Sequence, residues 1–147
     1  KNLKLFVQLA NFYESKFKFI AVTNKKTDNK SVTYHISPSE IDKKSIISNV
    51  GIYIAPNNKS ESFGITILEA INQGNVAICS NIKAFKTLLN DSGIFFAKDN
   101  FEDLKKTINN LNEENLNEIW SKQYNYISQN YSMDKVLQKW IYVYKNI

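Results

Sequence analysis

The chain has 147 residues and a formal net charge of +5, and every one of its 19 cationic side chains is lysine. That length suits one well-buried core, or one half of a larger two-domain protein. The lysines lie scattered among acids, as in Lys25-Lys26, Lys43-Lys44 and Lys105-Lys106, so no basic face with arginine and interleaved aromatics speaks for nucleic acid as a partner.

"KNLKLFVQLANFYES", 1–15, carries leucine and phenylalanine at helical spacing, and "KFKFIAVT", 16–23, reads as the strand that follows. After a polar loop, "SVTYHI", 31–36, is a second strand rich in β-branched and aromatic residues, with His35 inside its alternation as a structural residue. "SPSEIDKKSIISN" has Ser37 as a cap, Pro38 at the first helical position and Glu40 three residues on, which predicts a capping box and a helix. "VGIYIAP", "NVAICS" and "GIFFA" are three further apolar runs, each preceded by a helical stretch. Cys79, the single cysteine, sits in the second of these and reads as a structural thiol in a reducing compartment. From Phe101 onward the pattern is helical, dividing into 101–111, 114–127 and 133–145 at turn-prone "LNEEN" and "SQNYS". Aromatics recur in that tail at Trp120, Tyr124, Tyr126, Trp140, Tyr142 and Tyr144, a spacing that suits core and inter-domain packing. Near-continuous apolar strands alternating with helices predict an α/β domain: a Rossmann-like parallel sheet with helices on both faces and a helical C-terminal tail. The expected division is an α/β core over about 1–112 and C-terminal helices over about 113–147. No apolar stretch approaches the roughly 18 residues that cross a bilayer.

In open parallel sheets, ligands bind beyond the carboxyl ends of the strands. The longest loop in such a place, "APNNKSESFG", enters a helix that contains Glu69, with Glu61 eight positions before it. Gly64 lets backbone approach a ligand, and free N–H groups at the helix start suit a phosphate; Gly74 ends the same helix. Glu69 lies roughly 8 Å along the axis from Gly64. Two carboxylates flanking a phosphate-binding terminus suit a molecule with a diol at each end and phosphate between, such as a nucleoside diphosphate sugar. The two glutamates alone favour the plainer arrangement, Glu69 in a solvated stripe with Ser62, Thr66 and Gln73, and Glu61 as a complement to the positive helix end.

The wider pattern, "YIAPNNKSESFGITILEAINQGNVAICSNIKAFKTLLNDSGIFF", resembles the family 4 retaining glycosyltransferases of the GT-B fold. The likeness is to their nucleotide-sugar half, which carries E-x-F-G-x(4)-E-A-x(3)-G-x-x-V. Through "APN", "ESFGI", "LEA" and "AF" it is similar to bacterial mannosyltransferases that act on phosphatidylinositol. The resemblance implies that Glu69 holds the ribose hydroxyls of a UDP- or GDP-sugar and Glu61 those of the donor sugar. Ser62 and the backbone of Phe63, Gly64 and Ile65 would line the pyrophosphate and sugar, and Ile36, Ser37 and Pro38 would wall the base. The family's Gly-Arg strand and the lysine after it clamp the diphosphate. Here the chain starts at Lys1, in the place of that lysine, or simply as a solvated terminus, and the strand and arginine are absent. Asn24 stands where the family commonly has glycine, in a loop too short for the usual helix.

On this resemblance the chain is the donor half of a hexosyltransferase in a longer parent and inactive by itself. Its acceptor domain would lie ahead of Lys1. There is no Asp-x-Asp pair for a metal, so no cofactor is expected. A cytoplasmic location follows, with room for peripheral attachment to the inner face of a membrane through the missing domain. A non-catalytic phospho-ligand or protein-binding module of the same topology and a sugar-nucleotide epimerase are the alternatives.

Overall fold

A computed structural model describes residues 2–24, 28–59 and 61–146. The chain opens with helix α1, Leu3–Phe12, whose first turn is capped by the Asn2 side chain accepting from Leu5 N and whose inner face buries Leu5, Leu9 and Ala10. Strands β1, Phe19–Thr23, and β2, Val32–Ile36, then pair in parallel from Phe19↔Val32 to Thr23↔Ile36. Helix α2, Glu40–Ser48, returns the chain to β3, Ile52–Ala55. Helix α3, Ile65–Asn72, leads to β4, Val76–Ser80, and α4, Lys83–Leu89, with a 3-10 turn at Asn90–Ser92, leads to β5, Ile94–Phe96. Three helices close the chain: α5, Phe101–Asn109; α6, Glu113–Tyr131; and α7, Met133–Lys145.

All strand pairs are parallel, but they form two sheets rather than one, β1-β2 and β3-β4-β5. Among the described residues no strand pairs with the second edge of β1 or of β3. In a doubly wound sheet ordered 3-2-1-4-5-6, the flanks of strand 1 are 3-2 on one side and 4-5-6 on the other. The two observed sheets reproduce those flanks. They share one hydrophobic cluster all the same: Leu5, Leu9 and Ala10 of α1 and Leu104 and Ile108 of α5 pack with Phe19, Ala21 and Val32 of the first sheet and with Ile78 and Phe96 of the second. Ala77 and Cys79 point to the other face, against Ile67 and Ile71 of α3, Phe85 and Leu88 of α4 and Ile127 of α6. Both faces of β4 are thus covered, and all five of its residues are buried.

The predicted capping box does not form at Ser37. Its N–H bonds to Thr23 O at 2.9 Å, extending the strand ladder, and its backbone turns left-handed at φ 45°. The cap falls instead on Ser39, which accepts from Asp42 N at 3.2 Å and donates to Asp42 Oδ2 at 2.6 Å. The Ser39-x-x-Asp42 spacing repeats the serine-to-acid pattern two residues later, with the Ser39 hydroxyl rather than its backbone N–H donating to the acid. Helix α6 also runs past the expected break at Ile127, to Tyr131. Its Gln123 is wholly buried, with Oε1 accepting from Ala77 N and Nε2 donating to Ala77 O, both at 2.9 Å. Pairing between β4 and β5 begins one residue later, at Ile78↔Ile94, so this side-chain amide stands in for a further strand residue. Of the tail aromatics, Trp120 is tied into the domain by its indole N–H, 2.9 Å from Ile71 O, whereas Trp140, Tyr142 and Tyr144 are exposed on α7.

Burial pushes the Cys79 thiol far above its ordinary range, and burial likewise raises Tyr13, Tyr53 and Tyr131. The unfolded chain releases these protons first. Stability from them is full below about pH 9, the ordinary thiol value, and falls as the pH rises further. Chemical denaturation between pH 8 and 10 should show that decline, and Cys79→Ala should make it shallower. An equal slope in both proteins would exclude the thiol as its source.

Candidate functional site

The carboxyl ends of β3, β4 and β5 carry the loops that hold the chemistry. After Ala55 the chain runs through Pro56 and Asn57 to Glu61, then enters α3 at Gly64. Gly64 is buried in a left-handed conformation, φ 100°. A Cβ there would stand 3.1 Å from Phe85 Cε1 and 3.2 Å from Leu88 Cδ2, so both the backbone conformation and the packing select glycine. No side chain caps the start of α3. At its other end, Gly74 at φ 90° completes a Schellman arrangement, with Asn75 N bonded to Ala70 O and Gly74 N to Ile71 O.

Glu61 is held from two sides. Asn57 Nδ2 donates to Oε2 at 2.9 Å, and Ser62 N donates to Oε1 at 3.2 Å. Asn57 is itself buried, and its carbonyl accepts from Ser80 Oγ at 2.5 Å, so the end of β4 fixes the loop that aims Glu61. Ser62 and Phe63 are exposed beside it, and Ile65 is exposed on the first turn of α3.

Glu69 lies further along α3. Its Oε2 is shut off from solvent without a hydrogen-bond partner, although the side chain as a whole is 38% exposed. Lys43 Nζ of α2 stands 3.4 Å from that oxygen as an ion-pair partner, and is closer, at 2.7 Å, to Glu40. The Glu40 hydrogen bond is the main cause that raises the Lys43 pKa; the charge on Glu69 adds to it. Tyr53 of β3 is hydrogen-bonded to Thr66; burial is the first cause of its raised pKa, and the charges of Glu69 and Glu61 act in the same direction.

The structure therefore gathers Glu61, Ser62, Phe63, Gly64 and Ile65 around one helix start, with Glu69 on the same helix. Ile36, Ser37 and Pro38 close the end of β2 in the other sheet, Ile36 being exposed, and α2 links that end to Glu69 through Lys43. Lys1 and the loop residues 25–27 lie outside the described residues. The sequence reading missed Tyr53, Asn57, Ser80 and Lys43. Tyr53 within β3, Asn57 in the loop after it and Ser80 at the end of β4 read as ordinary core or turn, and only the fold joins Ser80 to Asn57, Asn57 to Glu61 and Tyr53 to Thr66. His35 is half-buried on β2 and takes no part. No group of three or more His, Cys, Asp or Glu among the described residues could hold a metal ion.

The described strands pair in parallel, and an acid-flanked, glycine-initiated helix stands at the carboxyl ends of the larger sheet, the place where open α/β sheets bind ligands. The sequence places the chain more narrowly: residues 13–132 match the family described as Glycosyl transferases group 1, and the chain belongs to that family. Phosphatidyl-myo-inositol mannosyltransferases of Mycobacterium tuberculosis and Mycobacterium bovis are 36% identical to it over 52 residues, which is 35% of this chain and 14% of theirs. The crystal structure of a glycosyltransferase from Rickettsia africae ESF-5 superposes with a TM-score of 0.80 at 19% identity, covering 99% of this chain and 44% of that one. This likeness shows the fold, and the chain spans less than half of that structure.

Proposed function

We propose that the chain is the donor-binding part of a retaining glycosyltransferase that moves a hexose from a nucleoside diphosphate sugar to a glycan or lipid-linked acceptor. One observation carries the reading. Glu69 Oε2, on the helix whose start is uncapped, is buried without a hydrogen bond, its ion-pair partner Lys43 Nζ standing 3.4 Å away, and a buried acceptor of this kind has room for a donor such as a ribose hydroxyl. Glu69 then anchors the ribose, and Glu61, aimed by Asn57, holds the hydroxyls of the sugar. Amides of Phe63, Gly64 and Ile65 face the diphosphate, where the helix terminus favours negative charge. Lys1 supplies a cation to the same phosphates, and Ile36, Ser37 and Pro38 border the base.

The acceptor and the groups that close the site come from a further domain of a longer protein, and the 147 residues alone transfer no sugar. The first strand of this donor half, carried in the same longer protein, fills the place between β1 and β3. The division into an α/β core over about 1–112 and helices beyond belongs to the same reading. No helix among the described residues is long and apolar enough to cross a membrane. We place the parent in the cytoplasm, where a lipid-linked acceptor would be met at the inner face of a membrane.

Calorimetric titration of UDP and GDP into the chain, with and without EDTA, tests the assignment. One of the two should bind, and chelation should leave its affinity unchanged, since amides and lysine rather than a divalent ion compensate the phosphates. No heat with either nucleotide would overturn the reading; binding lost with EDTA would overturn the metal-free part of it.

A further inference from the structure

A cleft of about 470 Å³ is lined by Glu61, Ser62 and Phe63 of the proposed donor contacts but by none of Gly64, Ile65 and Glu69. Three lysines line it, one from the end of each strand of the larger sheet: Lys59 from the loop after β3, Lys83 at the first position of α4 after β4, and Lys98 after β5. None of the three has an ion-pair partner within 4 Å among the described residues, in contrast to Lys43 and Lys105. The acid next to Lys98, Asp99, is turned away to Asn2, whose Nδ2 donates to it at 2.7 Å. Glu61 is the carboxylate in the lining, so the cleft carries three ammonium groups against one acid. Phe63 and Tyr131, edge to face at 5.7 Å, form its apolar wall.

Like charges are not brought together without cost, and three lysines without ion-pair partners lining one concavity favour an anion of matching charge. The excess of two positive charges suits a phosphate ester, which carries about −1.5 to −2 near neutrality as a monoester. The aromatic wall suits the carbon skeleton attached to it. The cleft shares Glu61 with the donor-sugar position, and its lining does not include Glu69, to which the reading above gives the ribose. We propose that it binds a phosphate group of the acceptor, so that the acceptor substrate is a phosphate-bearing molecule held here against the donor sugar. This rests on the donor reading of Glu61 and Glu69. The phosphate site itself does not.

The test uses the 147-residue chain and glycerol 3-phosphate as the probe, followed by amide NMR shifts, with UDP and GDP as separate titrants. Glycerol 3-phosphate should move the resonances of Lys83, Thr87 and Lys98, and should do so equally when the nucleotide site is saturated. The triple variant Lys59→Gln, Lys83→Gln, Lys98→Gln should weaken its binding about tenfold or more and nucleotide binding less than about twofold. The corresponding triple change to arginine should restore it, which a folding defect would not allow. Competition between glycerol 3-phosphate and the nucleotide, or loss of both in the glutamine variant, would overturn the proposal by making the cleft the seat of the donor's own diphosphate. Absence of any shift in the cleft would also overturn it. Shifts in the cleft with no nucleotide binding anywhere would refute the donor reading, and with it the acceptor assignment, while leaving a phosphate site in place.

Discussion

Glu61→Gln in the longer protein is expected to lower kcat by about 100-fold or more, the range for removing one preorganised electrostatic contact at a reacting centre. Donor KM should rise by much less. The reason lies in what converges on the carboxylate: Asn57 Nδ2 and Ser62 N both donate to it, and an amide in its place accepts from only one of them. The side chain then loses its aim as well as its charge. If Glu61 holds the donor sugar while the diphosphate departs, its contact strengthens in the transition state, and such contacts appear in kcat. Steady-state kinetics with the donor varied would show this, together with near-normal binding of UDP or GDP lacking the sugar. A variant that loses nucleoside diphosphate affinity instead would move Glu61 from the sugar to the nucleotide.

Glu69→Ala should act on binding. The ribose hydroxyls would lose a charged acceptor, worth about 1.5–3 kcal/mol, or about 10- to 150-fold in affinity by calorimetry. The ion pair at 3.4 Å to Lys43 adds little to the fold, since the carboxylate is more than a third exposed and Lys43 keeps its shorter contact with Glu40. Melting temperature should therefore stay close to that of the parent chain while nucleotide affinity falls. Unchanged affinity would return Glu69 to a solvated stripe on α3.

What was legible in the sequence were the features with short-range causes. Gly64 and Gly74 mark the two ends of α3 because each adopts a positive φ, and the strand runs around Tyr53, Cys79 and Phe95 are apolar because both faces of the sheet are covered. The capping serine was misplaced by two residues because Ser37 and Ser39 carry the same local chemistry, and only the ladder bond from Ser37 N to Thr23 O decides between them. Gln123 gave no signal at all. A glutamine on an amphipathic helix reads as solvent-facing, and its burial against Ala77 depends on where β5 happens to begin. Asn57 and Ser80 stayed hidden for the same reason, being 23 residues apart in sequence and joined only across strand ends. The division of the strands into two sheets was likewise beyond local pattern, because an apolar run says that a strand is buried and not which neighbour it pairs with.

That division sets how the domain can be assembled. The sides of β1 and β3 along which no strand pairs among the described residues belong to strands that share one buried cluster, and main-chain pairing is indifferent to the side chains of whatever strand arrives. A separate peptide of suitable length could thus complete the sheet in trans as readily as a covalently joined segment. The same opening admits a strand from a second copy, which makes the isolated domain a candidate for swapped or chained assemblies at high concentration.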